Sequence, residues 1–242
     1  MVASKRVPHA LMFTGRDGGG NLAAAFVFAR HLFCLSPAGD ELCGKCPSCV
    51  KISKLAHPDL HLVFPIIKTK TTGSSDDLIA EFREALLDDL YLTVNKWSEK
   101  LDAGNRQAAI FVEEAGNILR KLSYTSYEGS YKVMIIWQPE SMHAAAANGI
   151  LKILEEPSPN TYFILVTNAA DQLMPTIISR TQIVTIPLIS DEALEKYLRD
   201  KHGVDESSAR KIVQLADGNI NLALKLIGQE QDNSTAFFTE WM

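Results

Sequence analysis

The sequence predicts an α/β fold: a five-stranded parallel sheet, a metal-binding insertion, and a small all-helical domain behind them. Three observations predict it. Short apolar runs of strand length, at 10–14, 60–65, 131–137, 162–167 and 182–186, are separated by helical patterns, as in a parallel sheet with right-handed crossovers. A glycine-rich turn joins the first run to the first helix, and all four cysteines cluster just behind that helix. From Ser190 onward the composition shifts to charged amphipathic helices.

Composition sets the outer bounds. At 242 residues and 46% hydrophobic content the chain can bury a large core and a smaller second one. A net charge of −5 excludes a large non-specific attraction to nucleic acid and leaves room for a local basic surface. No apolar run approaches the roughly 18 residues needed to span a bilayer, and Met1–His9 lacks the apolar stretch of a secretion signal. The expected location is the cytoplasm. No internal repeat is present.

The first apolar run, Ala10-Leu11-Met12-Phe13-Thr14, enters Gly15-Arg16-Asp17-Gly18-Gly19-Gly20 and then the helical run Ala23 to Cys34. A strand, a glycine turn and a helix start direct backbone N–H groups and a positive helix end at a phosphate. Gly15 and Gly20 keep the P-loop spacing, but Asn21 and Leu22 stand where that loop carries Lys and Ser or Thr. A neutral amide and an isobutyl group remove both the charge that neutralises the β/γ-phosphates and the hydroxyl that ligates Mg²⁺. No functional ATP–Mg site is expected, and a plain strand-to-helix turn remains the alternative.

Cys34, Cys43, Cys46 and Cys49 lie within sixteen residues. Cys-x₂-Cys turns present thiolates to one tetrahedral ion, so the pattern reads as a structural Cys₄ zinc site, one Zn²⁺ per chain, with Gly44 and Pro47 supplying the turns. A redox pair would leave two cysteines unexplained. His57 and His61 follow, but four cysteines already close a zinc shell, which makes them surface or core histidines.

Residues 51–56 read as a short helix, and 68–77 as a polar, mobile loop. Leu78, Phe82, Leu86, Leu87 and Leu90 recur at helical spacing, with a second helix over Thr93 to Leu101, and 113–123 is a one-sided helix. The run Tyr131 to Trp137 is the strongest strand, continuous as in a strand buried on both faces. Nucleotide hydrolases on such sheets place an Asp for Mg²⁺ and a Glu for water at this strand's end, where Trp137 and Gln138 stand here. Trp137 then reads as a core or rim aromatic.

The next helix runs from Met142 to Glu156 and Pro157 stops it. Glu155 and Glu156 sit in its last turn, where the helix dipole disfavours negative charge, which points to an interaction or to two solvated acids. Lys152 suits an ion pair with Glu155 or Glu156, three and four residues on. Pro175 and Thr176 open a short helical turn before Ser179 and Arg180, and helices are expected at 191–201, 207–216 and 219–227.

These features together resemble a known family. Val7-Pro8-His9-Ala10-Leu11, the four-cysteine insertion, Lys132-Val133-Met134-Ile135-Ile136, Met142 with Ala146-Ala147-Asn148, Leu151-Lys152-Ile153-Leu154-Glu155-Glu156-Pro157 and Thr176-Ile177-Ile178-Ser179-Arg180 are similar to the delta-prime subunits of bacterial DNA polymerase III clamp loaders, of the AAA+ class. The resemblance implies a P-loop (AAA+/RecA-like) core over 1–188 with a zinc module at 34–49, a helical lid over 189–228, and at 229–242 a linker and the start of a C-terminal collar domain that this chain lacks. It implies a non-hydrolysing subunit, without ATPase or polymerase activity of its own, that helps load the sliding clamp onto primed DNA. Its partners would be the other clamp-loader subunits, including the clamp-opening subunit and an adjacent ATPase whose site receives Arg180 as an arginine finger in trans. The chain departs from the family at Thr181, where a Cys is usual, and over 68–105, which is longer than usual. The competing reading is an active AAA+ ATPase of replication or repair with an atypical loop. Against it stand Asn21, Leu22, Trp137, Gln138 and the lack of an Arg near Asn219-Ile220-Asn221. A dinucleotide-binding Gly-x-Gly-x-x-Gly register is not met at Gly15 to Gly20.

Overall fold

A computed structural model describes residues 7–38, 41–129 and 131–228 of the chain. In order, the elements are β1 (Ala10–Thr14), α1 (Asn21–Phe33), α2 (Pro47–Ser53), β2 (Leu60–Val63), α3 (Ile79–Asp88), α4 (Val94–Lys100), α5 (Val112–Ser123), β3 (Lys132–Trp137), α6 (Ala144–Glu155), β4 (Thr161–Thr167), α7 (Pro175–Ile178), β5 (Gln182–Thr185), α8 (Asp191–His202) and α9 (Glu206–Ala216). A last helix, α10, covers residues 220–228. Two compact units result: one holds β1 and Asn21–Thr185, the other Gly15–Gly20 and the chain from Ile186. The linker expected at 229–242 lies outside the described residues.

In the first unit the strands are all parallel in the order β2-β3-β4-β1-β5. The register sets Met12 beside Leu165 on one side and Ile183 on the other, and Met134 beside Phe163. β3 is buried along its whole length, which is why it reads as an unbroken apolar run. On one face α5 and α6 cover the sheet with Ala115, Ile118, Leu122, Ala147, Ile150 and Leu154 against Met12, Met134, Ile136 and Leu165. They pack closely because Gly149 faces Ala115: a Cβ at Gly149 would come within 2.8 Å of the Ala115 Cβ. Helix α5 ends on a buried cation, Lys132 Nζ, which donates to the carbonyls of Leu122 at 2.6 Å and Tyr124 at 2.8 Å. That arrangement satisfies C-terminal carbonyls and opposes the helix dipole.

The long segment after β2 is a packing device. Phe64 stacks on Phe82 at 3.8 Å, Trp97 meets both rings edge-on, and the Trp97 indole N–H donates to the Pro65 carbonyl at 2.8 Å. Trp137 closes the cluster 5.5 Å from Phe82, a core aromatic as its sequence position suggests. Within the polar stretch 68–77, expected to be mobile, residues 73–77 are tied down. Asp77 accepts from the N–H groups of Gly73 and Ser74, and the buried Ser75 donates to Glu114 at 2.7 Å and to the Leu62 carbonyl. Low hydrophobicity failed as a guide there because the anchors are backbone hydrogen bonds to carboxylates.

In the second unit, α8 starts on Ser190, whose hydroxyl accepts from the Ala193 N–H, and stops at Gly203 with φ +65°. Asp205 caps α9 by accepting from Ser207 and Ser208, which holds its carboxyl well below the usual carboxylate range. Leu194 and Leu198 of α8 and Ile212 and Val213 of α9 are buried.

Candidate functional site

The four cysteines converge. Cys34 ends the α1 segment, Gly44 turns the chain with φ +68°, and Cys46 caps α2, its sulfur accepting from the Cys49 N–H at 3.4 Å. Pro47 is the first residue of α2, so that helix begins four residues earlier than the sequence pattern suggests. The four Sγ atoms lie within 4.8 Å of one another, with Cys34–Cys43 at 3.5 Å and Cys43–Cys49 at 3.9 Å. Tetrahedral Zn–S bonds of about 2.3 Å put sulfurs about 3.8 Å apart, so these residues fit one tetrahedral ion. Backbone N–H groups of Cys46 and Lys45 hold the Cys43 thiol below its ordinary value, whereas burial pushes Cys49 up to about 12 against a hydrogen bond from Arg30. Arg30 was not singled out from sequence; its position one helical turn before Cys34 is the signal that was there to read. Neither nearby histidine joins the cluster. His57 is buried against Phe33, and its Nδ1 accepts from the Asp59 N–H.

The glycine loop is turned by its glycines and bonded in part to itself. Gly18 and Gly20 take φ +73° and +86°, and the Gly19 N–H bonds within the loop to the Arg16 carbonyl at 3.1 Å. Within the second unit Asn219 lies against the loop: its amide donates to the Asp17 carbonyl at 3.1 Å, and the Ile220 N–H donates to the Gly18 carbonyl. A Cβ at Gly18 would fall 2.0 Å from Asn219 Oδ1. Asn21 and Leu22 are buried at the start of α1, and the Asn21 amide donates to Asn168 Oδ1, just past β4, at 2.7 Å. At the end of β3, Trp137 and Gln138 are both buried, and Gln138 holds a left-handed φ of +58°.

Arg180 follows α7 at the strand β5 edge of the sheet. Its guanidinium pairs with Glu155, which answers the sequence question about acids in the last turn of α6: Glu155 accepts from Arg180, not from Lys152. Lys152 is exposed on α6 and forms none of the ion pairs found among the described residues. No helix among the described residues is long and apolar enough to cross a membrane.

A parallel sheet ordered 2-3-4-1-5, a glycine turn between β1 and α1, and a Cys₄ knuckle define a protein of the P-loop α/β class, RecA/AAA+-like, with a metal-knuckle insertion. The chain belongs to the family described as DNA polymerase III, delta subunit, which it matches over residues 1–190. It is 30% identical over 225 residues to the DNA polymerase III subunit delta' of Bacillus subtilis, covering 93% of this chain and 55% of that protein. It is 26% identical to the delta' subunit of Haemophilus influenzae, over 90% of this chain and 55% of that one. To the tau subunit of Bacillus subtilis it is 28% identical, over 93% of this chain and 34% of that one. The chain thus spans about half the length of the delta' relatives it matches. A solved Thermotoga maritima gamma subunit-related protein of DNA polymerase III shares the fold, with a TM-score of 0.50 and 16% identity over 88% of this chain and 55% of that chain.

Proposed function

We propose that this chain is a non-hydrolysing subunit of a DNA polymerase III clamp loader, a cytoplasmic assembly that places a sliding clamp on primed DNA, and that it lends Arg180 to the ATP site of an adjacent subunit. Family membership supports the assembly. The observation that carries the non-hydrolysing part is Asn21: the residue in the lysine's place is a neutral amide already committed to Asn168. Nothing at that point can neutralise a β/γ-phosphate, and the end of β3 supplies Trp137 and Gln138 in place of a Mg²⁺ ligand and a water-positioning carboxylate. A core over 1–188 would carry these features and a lid over 189–228 would follow it.

In this reading Arg180 supplies positive charge to the transferring phosphoryl group of the neighbour's nucleotide, an effect worth about 10³ to 10⁵ in rate for arginine fingers. Zn²⁺ in the Cys₄ site is structural: a closed tetrathiolate shell has no open position for substrate. In a loader reconstituted with its ATPase subunits, Arg180→Ala should leave this chain folded and metal-loaded yet lower ATP turnover at one site, and Arg180→Lys should rescue poorly because the planar fork is lost. Wild-type DNA-stimulated turnover in the Ala variant would make Arg180 structural. Tight Mg²⁺-dependent ATP binding by the chain alone would favour an active ATPase instead.

A further inference from the structure

We propose that Glu155 is a latch that parks Arg180, so that the guanidinium reaches a neighbour's nucleotide only by exchanging this carboxylate for a γ-phosphoryl group. The inference rests on the trans-arginine reading above and adds a control to it.

A guanidinium has five N–H donors. Four are engaged inside this chain: Nε and Nη2 both donate to Glu155 Oε1, the first at 2.7 Å, and Nη1 donates to the Thr176 carbonyl at 2.8 Å and to Ser179 Oγ at 3.3 Å. Phosphate is bound strongly by two parallel N–H groups on one edge of the fork. The Nε/Nη2 edge is such an edge, and it is spent on Glu155. One N–H is left over, which is too few for a bidentate phosphate contact. As the side chain stands, the finger is therefore folded in.

Two features make this a latch and not a permanent clamp. The pair is only partly buried, with 27% of the Arg180 side chain and 49% of the Glu155 side chain exposed, so water and incoming ions compete for it. It also lies in an open cavity of about 420 Å³ lined by Pro8, His9, Leu154, Glu155, Arg180 and Gln182, which leaves room beside the guanidinium for another anion. A γ-phosphoryl group brings more negative charge and more acceptor oxygens than one carboxylate. A nucleoside diphosphate lacks that group, so the latch distinguishes triphosphate from diphosphate at the neighbour's site. Glu155 is also held at a helix end that disfavours it: it closes α6, where the dipole opposes negative charge, and Arg180 is the cation that compensates. Once Arg180 leaves, that compensation goes with it, which biases the latch to re-form after the γ-phosphoryl group is gone.

The test uses the reconstituted loader, with ATP turnover measured with and without primed DNA for wild type, Glu155→Gln, Glu155→Ala and Arg180→Ala. Circular dichroism and metal content check that each variant is folded. The latch predicts that Glu155→Ala raises DNA-independent turnover several-fold and shrinks the DNA stimulation, that Glu155→Gln falls between, and that the Arg180→Ala change removes the effect when combined with Glu155→Ala. If Glu155→Ala lowers turnover as Arg180→Ala does, Glu155 supports the finger and the latch is wrong. Unchanged turnover makes the pair an inert surface contact, which overturns it too. If Arg180→Ala itself has no effect, the trans-arginine reading has failed, a distinct result. An independent arm reads the Arg180 Nε–H exchange rate by NMR in the chain alone. Slow exchange in wild type that becomes fast in Glu155→Ala is expected, and equally fast exchange in both excludes the parked state.

Discussion

The cysteine knuckle and the glycine loop are both short, glycine-turned loops whose spacing announces a ligand, and the structure treats them in opposite ways. In the knuckle, the four cysteine sulfurs meet within 4.8 Å of one another. In the loop, the Gly19 N–H bonds to the Arg16 carbonyl and the Asn21 amide to Asn168, while the Asn219 amide and the Ile220 N–H donate to the Asp17 and Gly18 carbonyls. A ligand site is set by where lone pairs and N–H groups point, and spacing records only where they could point. The knuckle gathers four ligand atoms close enough for one metal ion.

That contrast can be broken at either end. The largest effect is expected at the knuckle: Cys46→Ser, or a strong chelator, should remove the metal and raise amide exchange over 41–50 by roughly a hundredfold while sparing β1, β3 and β4, because ion binding is the folding energy of a loop with few apolar contacts. Exchange that rises evenly across the sheet would mean the knuckle supports the whole core. Next is Gly18→Ala, which forces an L-residue into a left-handed φ at about 1–2 kcal/mol and drives a Cβ against Asn219. Thermal unfolding should show a loss that Asn219→Ala partly restores; an additive double mutant would separate the two residues. Smaller again is Asn21→Ala, expected to cost about 1 kcal/mol by removing the hydrogen bond that the buried Asn21 amide donates to Asn168, with no gain or loss of ATP binding by calorimetry. A fall in nucleotide affinity would reveal a phosphate contact the loop still makes.

The last is a pH effect, confined to acid, at His61 in β2. Burial, with Lys121 next in weight, lowers His61 to about 4, below its ordinary 6.5. The unfolded chain therefore takes up a proton before the folded one, so this residue's contribution is intact above about pH 6.5 and is lost progressively as pH falls toward 4. His61→Gln should flatten the denaturation midpoint over that window. An unchanged slope would assign the acid sensitivity elsewhere.

How much was legible follows from locality. The knuckle was read whole because Cys-x₂-Cys spacing is local and one ion's chemistry demands it. The strands were read because burial on both faces leaves continuous runs, as in Val133 to Trp137. The anchoring at Ser75 was missed because its holds, Glu114 and the Leu62 carbonyl, are distant in sequence. For Glu155 the sequence raised the right question, a misplaced charge at a helix end, but its answer lies 25 residues away.

The sequence by itself determined the class of fold and the clustering of the four cysteines, and it put Asn21 and Leu22 where a P-loop carries Lys and Ser or Thr, since each depends on residue type within a short window. Only the tertiary structure decided which partners the displaced groups found: Asn21 with Asn168, Asn219 with the glycine loop, Arg180 with Glu155. Those pairings join residues 25 to 202 positions apart, and a hydrogen bond depends on ångström-scale geometry that only packing of the whole chain provides.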